Sequence, residues 1–312
     1  MEISSSLVYN VGLLFLMLIP GILLKKCHLT TEGLGKGLAN LILYIAQPAM
    51  IVLAYIRPYD EAILRNAIYV LIFSAVSHVI FIGAVLLCFR NTSQGKQCVL
   101  RFATVFSNAA YMGMPLIVAA LGSEAAIYAS IYNITFNLFL WSFGVYLFTG
   151  DKRQTSLWRI LFHPVTISAA IGLLLFLSPI DGYVPPIVSE ALLMLQNLVA
   201  PLSMIVIGMR LADMKLRGTF TDKNLYLFLF LRLLLLPVLI YGIMRLCMVC
   251  GLPLSKTVLT VVLVTASTPA ATATSMFAEK FGGDSTYAGK LVAISTILSV
   301  LTMPLISLLL QL

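Results

Sequence analysis

Ten apolar stretches, each long enough to cross a bilayer and joined only by short polar connectors, decide what this chain can fold into. About 20 apolar residues are needed per helical crossing. The stretches lie near 7 to 26, 36 to 56, 67 to 89, 98 to 121, 125 to 148, 160 to 178, 186 to 209, 224 to 248, 255 to 278 and 286 to 310. Of the 312 residues, 60% are hydrophobic and 10% charged, and no connector is long enough to fold as a soluble domain. The expectation is a single all-α polytopic membrane domain over residues 1–312 that spans the lipid bilayer with ten transmembrane helices.

Lysine and arginine set its orientation. If the chain starts outside, 15 of its 20 basic residues fall on inner connectors, among them Lys25, Lys26, Lys36, Arg90, Arg153, Arg210, Lys215, Arg217, Lys280 and Lys290. The positive-inside rule then puts the chain in a plasma or inner membrane with both termini non-cytoplasmic. The net charge of +8 is thus a topology signal and no reason to invoke nucleic acid. The N-terminus lacks the basic start of a leader and reads as a first spanning helix. Cys247 and Cys250 form a C-x-x-C in an apolar helix end with no His or acidic neighbour, which reads as packing, with neither metal nor cofactor expected.

The halves resemble each other. IAQPAMIVLA in the second span and LVAPLSMIVIG in the seventh put Pro48 and Pro201 153 residues apart, and NAAYMGMPLI in the fourth and TASTPAATATS in the ninth put Pro115 and Pro269 154 apart. The reading is two five-helix repeats, residues 1–150 and 151–312. Five is odd, so the second copy is inverted, a symmetry that in transporters places discontinuous helices and the substrate at the repeat interface.

Proline deep inside a span removes an N–H and collides with the preceding turn. Irregular backbone survives in lipid only where it is covered or lines a cavity. Asn108 to Met114 reads as an unwound piece of the fourth span, and Thr268 as an N-cap with Pro269 at the first position of a new half-helix. Half-helix N-termini carry free N–H groups and partial positive charge suited to a carboxylate. Candidate substrate residues are Ser107, Asn108, Tyr111, Gly113, Pro115, Ser267, Thr268, Pro269 and Thr272. The competing reading is a kinked, closely packed pair of helices.

Asn108 to Pro115 (NAAYMGMP) resembles the fourth-helix motif of the auxin efflux carrier family, which includes bacterial malate and malonate permease-like members. The resemblance extends to Pro48, His163-Pro164, RLLLLP from Arg232 to Pro237, and PAATATSMFAEKFGGD from Pro269 to Asp284, and so covers the whole chain. It implies a scaffold of spans 1, 2, 6 and 7, forming a homodimer, and a transport domain of spans 3 to 5 and 8 to 10 with crossed broken helices 4 and 9. Alternating access would then be of the elevator type. Its substrate would be a small organic anion, a mono- or dicarboxylate or an auxin-like acid. The short connector after the fifth span and a third span without a carboxylate argue against auxin itself.

All 12 acidic residues fall in connectors or near span ends, which disfavours coupling to H+ or Na+ through a buried carboxylate but leaves carbonyl-held Na+ open. His78 and Arg232 are ionisable within spans, 154 residues apart. Arg232 could pair with a substrate carboxylate, cap carbonyls of a broken helix or act as a structural tie; His78 is a packed neutral ring or a proton carrier. Gln47, Pro48, Asn133, Asn137, Asn197 and Pro201 are candidate cavity-lining residues, with Thr135, Ser295, Thr296, Ser299 and Thr302 as further polar groups in spans 5 and 10. No Walker, Rossmann or hydrolase signature supports an enzyme. A Na+-coupled carrier of bile-acid type and an intramembrane receptor are the rival readings.

Overall fold

The computed structural model describes residues 2–31, 33–155, 157–178, 184–213 and 220–311. Glu32, Asp181, Lys215 and Arg217, counted above as connector charges, lie outside them. Every apolar stretch is helical. Seven helices are long and apolar enough to cross a membrane: α1 (Val8–Lys26), α2 (Leu34–Tyr55), α3 (Glu61–Leu87), α6 (Ala125–Thr149), α8 (Pro186–Ala212), α9 (Lys223–Val249) and α12 (Ser285–Gln311). The fourth stretch is split into α4 (Gln94–Val105) and α5 (Ala109–Leu121), and the ninth into α10 (Lys256–Ser267) and α11 (Ala273–Phe281). The sixth, α7 (Pro164–Leu177), is short. The chain is an all-helical polytopic membrane protein.

Prolines shape three of these helices in one way. A proline ring collides with the carbonyl four residues back, and a wider turn relieves the collision. Pro48, Pro115 and Pro237 each follow a π-helical turn, Ile42–Ala46, Ala109–Gly113 and Leu231–Leu235. The threatened carbonyls, on Tyr44, Tyr111 and Leu233, fall inside those turns. A fourth π-turn, Leu140–Gly144, contains no proline.

Two groups of helices follow from side-chain size. α1 packs on α8 through Gly21 and Gly208: a Cβ on Gly208 would stand 2.2 Å from the Leu18 carbonyl oxygen, and one on Gly21 2.1 Å from that of Ile205. α2 packs on α7, where a Cβ on Gly172 would meet the Tyr55 ring at 2.3 Å. Small residues let helices approach where no hydrophobic force separates them from lipid. The second group, α3 to α6 with α9 to α12, surrounds the two interrupted helices. His78, Phe102, Phe106, Phe136 and Phe277 form its aromatic interior, and Ser74 Oγ donates to Thr135 Oγ1 at 2.9 Å between α3 and α6.

Helix starts in the two halves do not share one spacing: α2 and α8 start 152 residues apart, close to the 153 of Pro48 and Pro201. Glu61 and Lys223 start equal helices of 27 residues, Gln94 and Lys256 equal helices of 12, and both pairs of starts are 162 residues apart. On that register Arg232 matches Val70, not His78, and Pro115 does not match Pro269. Pro115 and Pro269 also differ locally, one following a π-turn and one lying in the extended link after α10.

Gly208→Leu should separate α1 from α8 and lower the melting temperature of the detergent-purified protein, an overpacking cost of about 1–3 kcal/mol. Gly242→Ala, where an added Cβ meets nothing within 4 Å, should melt with the parent protein.

Candidate functional site

The two interruptions meet. After α4 the chain is extended at Phe106 and Ser107, and after α10 it is extended at Thr268. Ser107 and Ala270 form an antiparallel bridge: the Asn108 N–H donates to the Pro269 carbonyl at 2.8 Å and the Ala271 N–H to that of Phe106 at 2.8 Å. The Ala270 N–H donates to Ser295 Oγ at 3.2 Å. Backbone released by one broken helix is thereby satisfied by the other, as an apolar interior demands.

Two details differ from expectation. Thr268 closes α10 instead of opening the next half-helix; its hydroxyl donates to the Thr265 carbonyl at 2.8 Å, and Thr272 stands at the N-cap of α11. Pro269 lies in the link, where its carbonyl serves the bridge. In the fourth span only Phe106 to Asn108 leave the helix; Ala109–Gly113 is a π-turn, and Met112 and Gly113 donate to the Asn108 carbonyl. The π-turn keeps most hydrogen bonds that unwinding would lose.

Arg232 is fully buried behind the bridge. Its Nε donates to the Thr268 carbonyl at 3.1 Å, Nη1 to Thr104 at 3.1 Å and Val105 at 3.4 Å, and Nη2 to Thr268 at 2.9 Å and to Ala266. Those five bonds match the five N–H donors of a guanidinium. The acceptors are the last carbonyls of α4 and α10, the negative ends of two helix dipoles. Arg232 is therefore a cap on both half-helices, with no donor left for a substrate carboxylate. The Phe81 ring covers it at 5.6 Å.

His78 is buried one helix away, its Nδ1 2.7 Å from the Ser74 carbonyl and its ring stacked on Phe139 at 5.1 Å. The carbonyl can only accept, so Nδ1 carries the proton. Tyr132, Phe136 and Phe106 complete an aromatic shell around it.

Several candidates gather about the π-turn of α5. Gln47 Nε2 donates to the Ala110 carbonyl at 2.7 Å, and a Cβ on Gly113 would touch Thr265 and Thr268. Asn108 Nδ2, Gln47 Oε1 and Asn133 Oδ1 are buried with no hydrogen-bond partner among the described residues. Left unpartnered, such atoms cost about 1–3 kcal/mol each. Pro115 is buried beneath the turn. Pro48 is half-buried just beyond the π-turn of α2, and Ser267 bonds its own helix at Val264. Asn137 Nδ2 lies 3.5 Å from His163 Nδ1, toward α7. Asn197 is exposed at a kink in α8 and Pro201 half-buried one turn later, so neither joins this group.

A cavity of about 270 Å³ opens between α8, α11 and α12. Arg210, Thr272, Ser275 and Thr296 supply polar atoms, Glu279 stands at the exposed rim, and Ile207, Leu211, Met276, Val292 and Ala293 form apolar walls. Of the substrate candidates taken from sequence, Thr272 reaches it. Arg210 also lines a neighbouring cavity of about 200 Å³ with Lys25, Lys36 and Asp213. Sequence reasoning assigned Arg210 to a connector because it lies near a span end; its signal was position, one helical turn from Ile207 on the same face. α8 packs against the π-turn of α5, Ala109–Gly113.

A helical bundle whose broken helices meet in an apolar interior belongs to the polytopic membrane proteins. The family model described as membrane transport protein matches residues 7–157 and again 151–307. The chain belongs to this family, the auxin efflux carrier type of membrane transporter. An uncharacterized transporter of Methanothermobacter thermautotrophicus is 29% identical over 218 residues, 69% of each chain.

Ser295→Ala should leave the Ala270 N–H unpaired inside the bundle and lower stability by about 1–3 kcal/mol. Ser295→Thr, which keeps an acceptor oxygen, should recover part of that loss in the same thermal melt.

Proposed function

We propose that the protein is a secondary transporter for a small organic anion, and that the anion's carboxylate binds between Arg210 and the N-terminus of α11. One observation carries the reading: a cation and a half-helix N-terminus line the same cavity. A guanidinium fork and the first amides of a helix both match carboxylate geometry. The apolar walls suit a compact organic body, and the volume suits a metabolite-sized acid. Lys25 and Lys36 beside Arg210 raise the local concentration of anions at the mouth. Asn108 and Gln47, each with an unpartnered buried polar atom, are further polar candidates near the π-turn of α5.

Alternating exposure follows from the two helix groups. At the basic end the larger of the two cavities lies between α8 on one side and α11 and α12 on the other. At the opposite end the groups are tied: Arg57, just after α2, pairs with Glu124, just before α6, and Tyr128 donates to Glu124 at 3.3 Å. This supports an inward-open arrangement in which α1, α2, α7 and α8 form a dimeric scaffold and the remaining helices carry the anion past it. By the distribution of basic residues, the cavity end is cytoplasmic. The two halves of the chain are read as inverted five-helix repeats.

Counterflow of organic acids in proteoliposomes tests the reading. Arg210→Gln should raise the KM of a transported acid about tenfold to a hundredfold, the scale of a lost charge-assisted hydrogen bond. Asn108→Ala should abolish saturable uptake. Wild-type kinetics in both variants would remove the anion from this site.

Movement of the groups has its own test. Cysteines placed at Arg57 and Glu124, with the five native cysteines replaced by serine, should allow a short bismaleimide to hold the outer end closed and stop uptake. Undiminished uptake after complete crosslinking would exclude the sliding of one group against the other.

A further inference from the structure

The place between the two first half-helices is built like a cation site. Carbonyls of Thr104 and Val105 from α4 and of Ala266 and Thr268 from α10 converge there, all at helix C-termini. In carriers with discontinuous helices, unwound carbonyls and half-helix C-terminal ends are the groups that coordinate a coupling Na+. Here a guanidinium from a third helix already donates hydrogen bonds to those carbonyls. It is fully buried, and among the described residues no carboxylate pairs with it.

We infer that Arg232 is a tethered cation occupying the ion position of the crossing, so that the protein carries a permanent counter-charge there and takes up no Na+ in its place. The two dipole ends neutralise the guanidinium, and the guanidinium in turn holds α4 and α10 at the spacing the Ser107–Ala270 bridge requires. Its side chain leaves α9 from the π-turn Leu231–Leu235, set by Pro237, which fixes the direction of approach. Arg232 is thus a positioning residue for the broken helices, and the cation it supplies cannot be exchanged during a transport cycle. Co-transport of Na+ through this point is excluded by occupancy.

The inference stands on the crossing alone and needs no particular anion. Its test is the melting temperature of the purified full-length protein, read in millimolar guanidinium, methylguanidinium, Na+ or K+. Wild-type protein should melt identically in all four chloride salts at matched ionic strength. Arg232→Ala should melt lower and be restored by guanidinium and less by methylguanidinium, because a free guanidinium can refill the space between the carbonyls. In proteoliposomes the same variant should lose uptake about tenfold to a hundredfold, recover part of it with guanidinium, and leave the wild type insensitive to a Na+ gradient.

Arg232→Lys keeps a cation with three donors in place of five. It should melt between the wild type and Arg232→Ala and remain insensitive to added guanidinium. If Arg232→Ala cannot be purified, this variant decides: stabilisation of Arg232→Lys by guanidinium would show that the tethered charge does not fill the position. Na+-specific stabilisation of the wild type, or a folded Arg232→Ala indifferent to guanidinium, would overturn the inference. Because melting requires no transported substrate, failure of every uptake assay would count against the transport reading and leave this one standing.

Discussion

A helix interrupted inside an apolar interior must find new partners for its backbone, and this fold supplies them by interrupting two helices at one place. The Asn108 N–H and the Phe106 carbonyl are satisfied by Pro269 and Ala271 across the bridge, and the spare carbonyls of α4 and α10 by Arg232. Neither break could exist without the other. An unpaired buried amide costs a substantial part of a domain's net stability. The packing of α3, α6, α9 and α12 around the bridge follows from that requirement, since each contributes a group the crossing needs: the aromatic shell on α3 and α6, Arg232 on α9 and Ser295 on α12.

Much of the fold was legible as hydrophobic run length. The ten stretches read from sequence are the ten helical stretches of the structure, with ends displaced by only a few residues outside the third and sixth. Asn108, Thr268 and Pro269 were also legible as a place where helix would fail, because proline and clustered small polar residues act locally. The local form of the failure was not. At the end of α10 the Thr268 carbonyl receives two hydrogen bonds from Arg232, 36 residues earlier, a partner that the local sequence does not announce.

Arg210 shows the opposite case. In the sequence it is one more basic residue at the edge of a span, and the positive-inside pattern explains it completely. Only the packing of α8 beside α11 and α12 turns that edge inward and gives the guanidinium a cavity. For His78 and Arg232 the sequence left alternatives open, and the structure shows a ring in an aromatic shell and a guanidinium on the carbonyls of two broken helices. Two residues can be similarly rare in apolar helices and still answer different needs, one filling an aromatic shell and the other closing two helix ends.

The crossing has a polarity that follows from this division of labour. Four half-helix ends converge there, two C-terminal and two N-terminal. Arg232 takes the negative pair and is consumed by it. The positive pair opens α5 and α11; Gln47 donates to the Ala110 carbonyl in the first turn of α5, and Thr272 at the start of α11 lines the same cavity as Arg210. A bound cation at the first pair and a bound anion at the second would balance one another through the same short bridge. On the proposed reading the cation is part of the chain and only the anion would exchange. Selectivity for negative charge would then follow from which helix ends the fold has sealed, whatever organic body the apolar walls of α8, α11 and α12 admit.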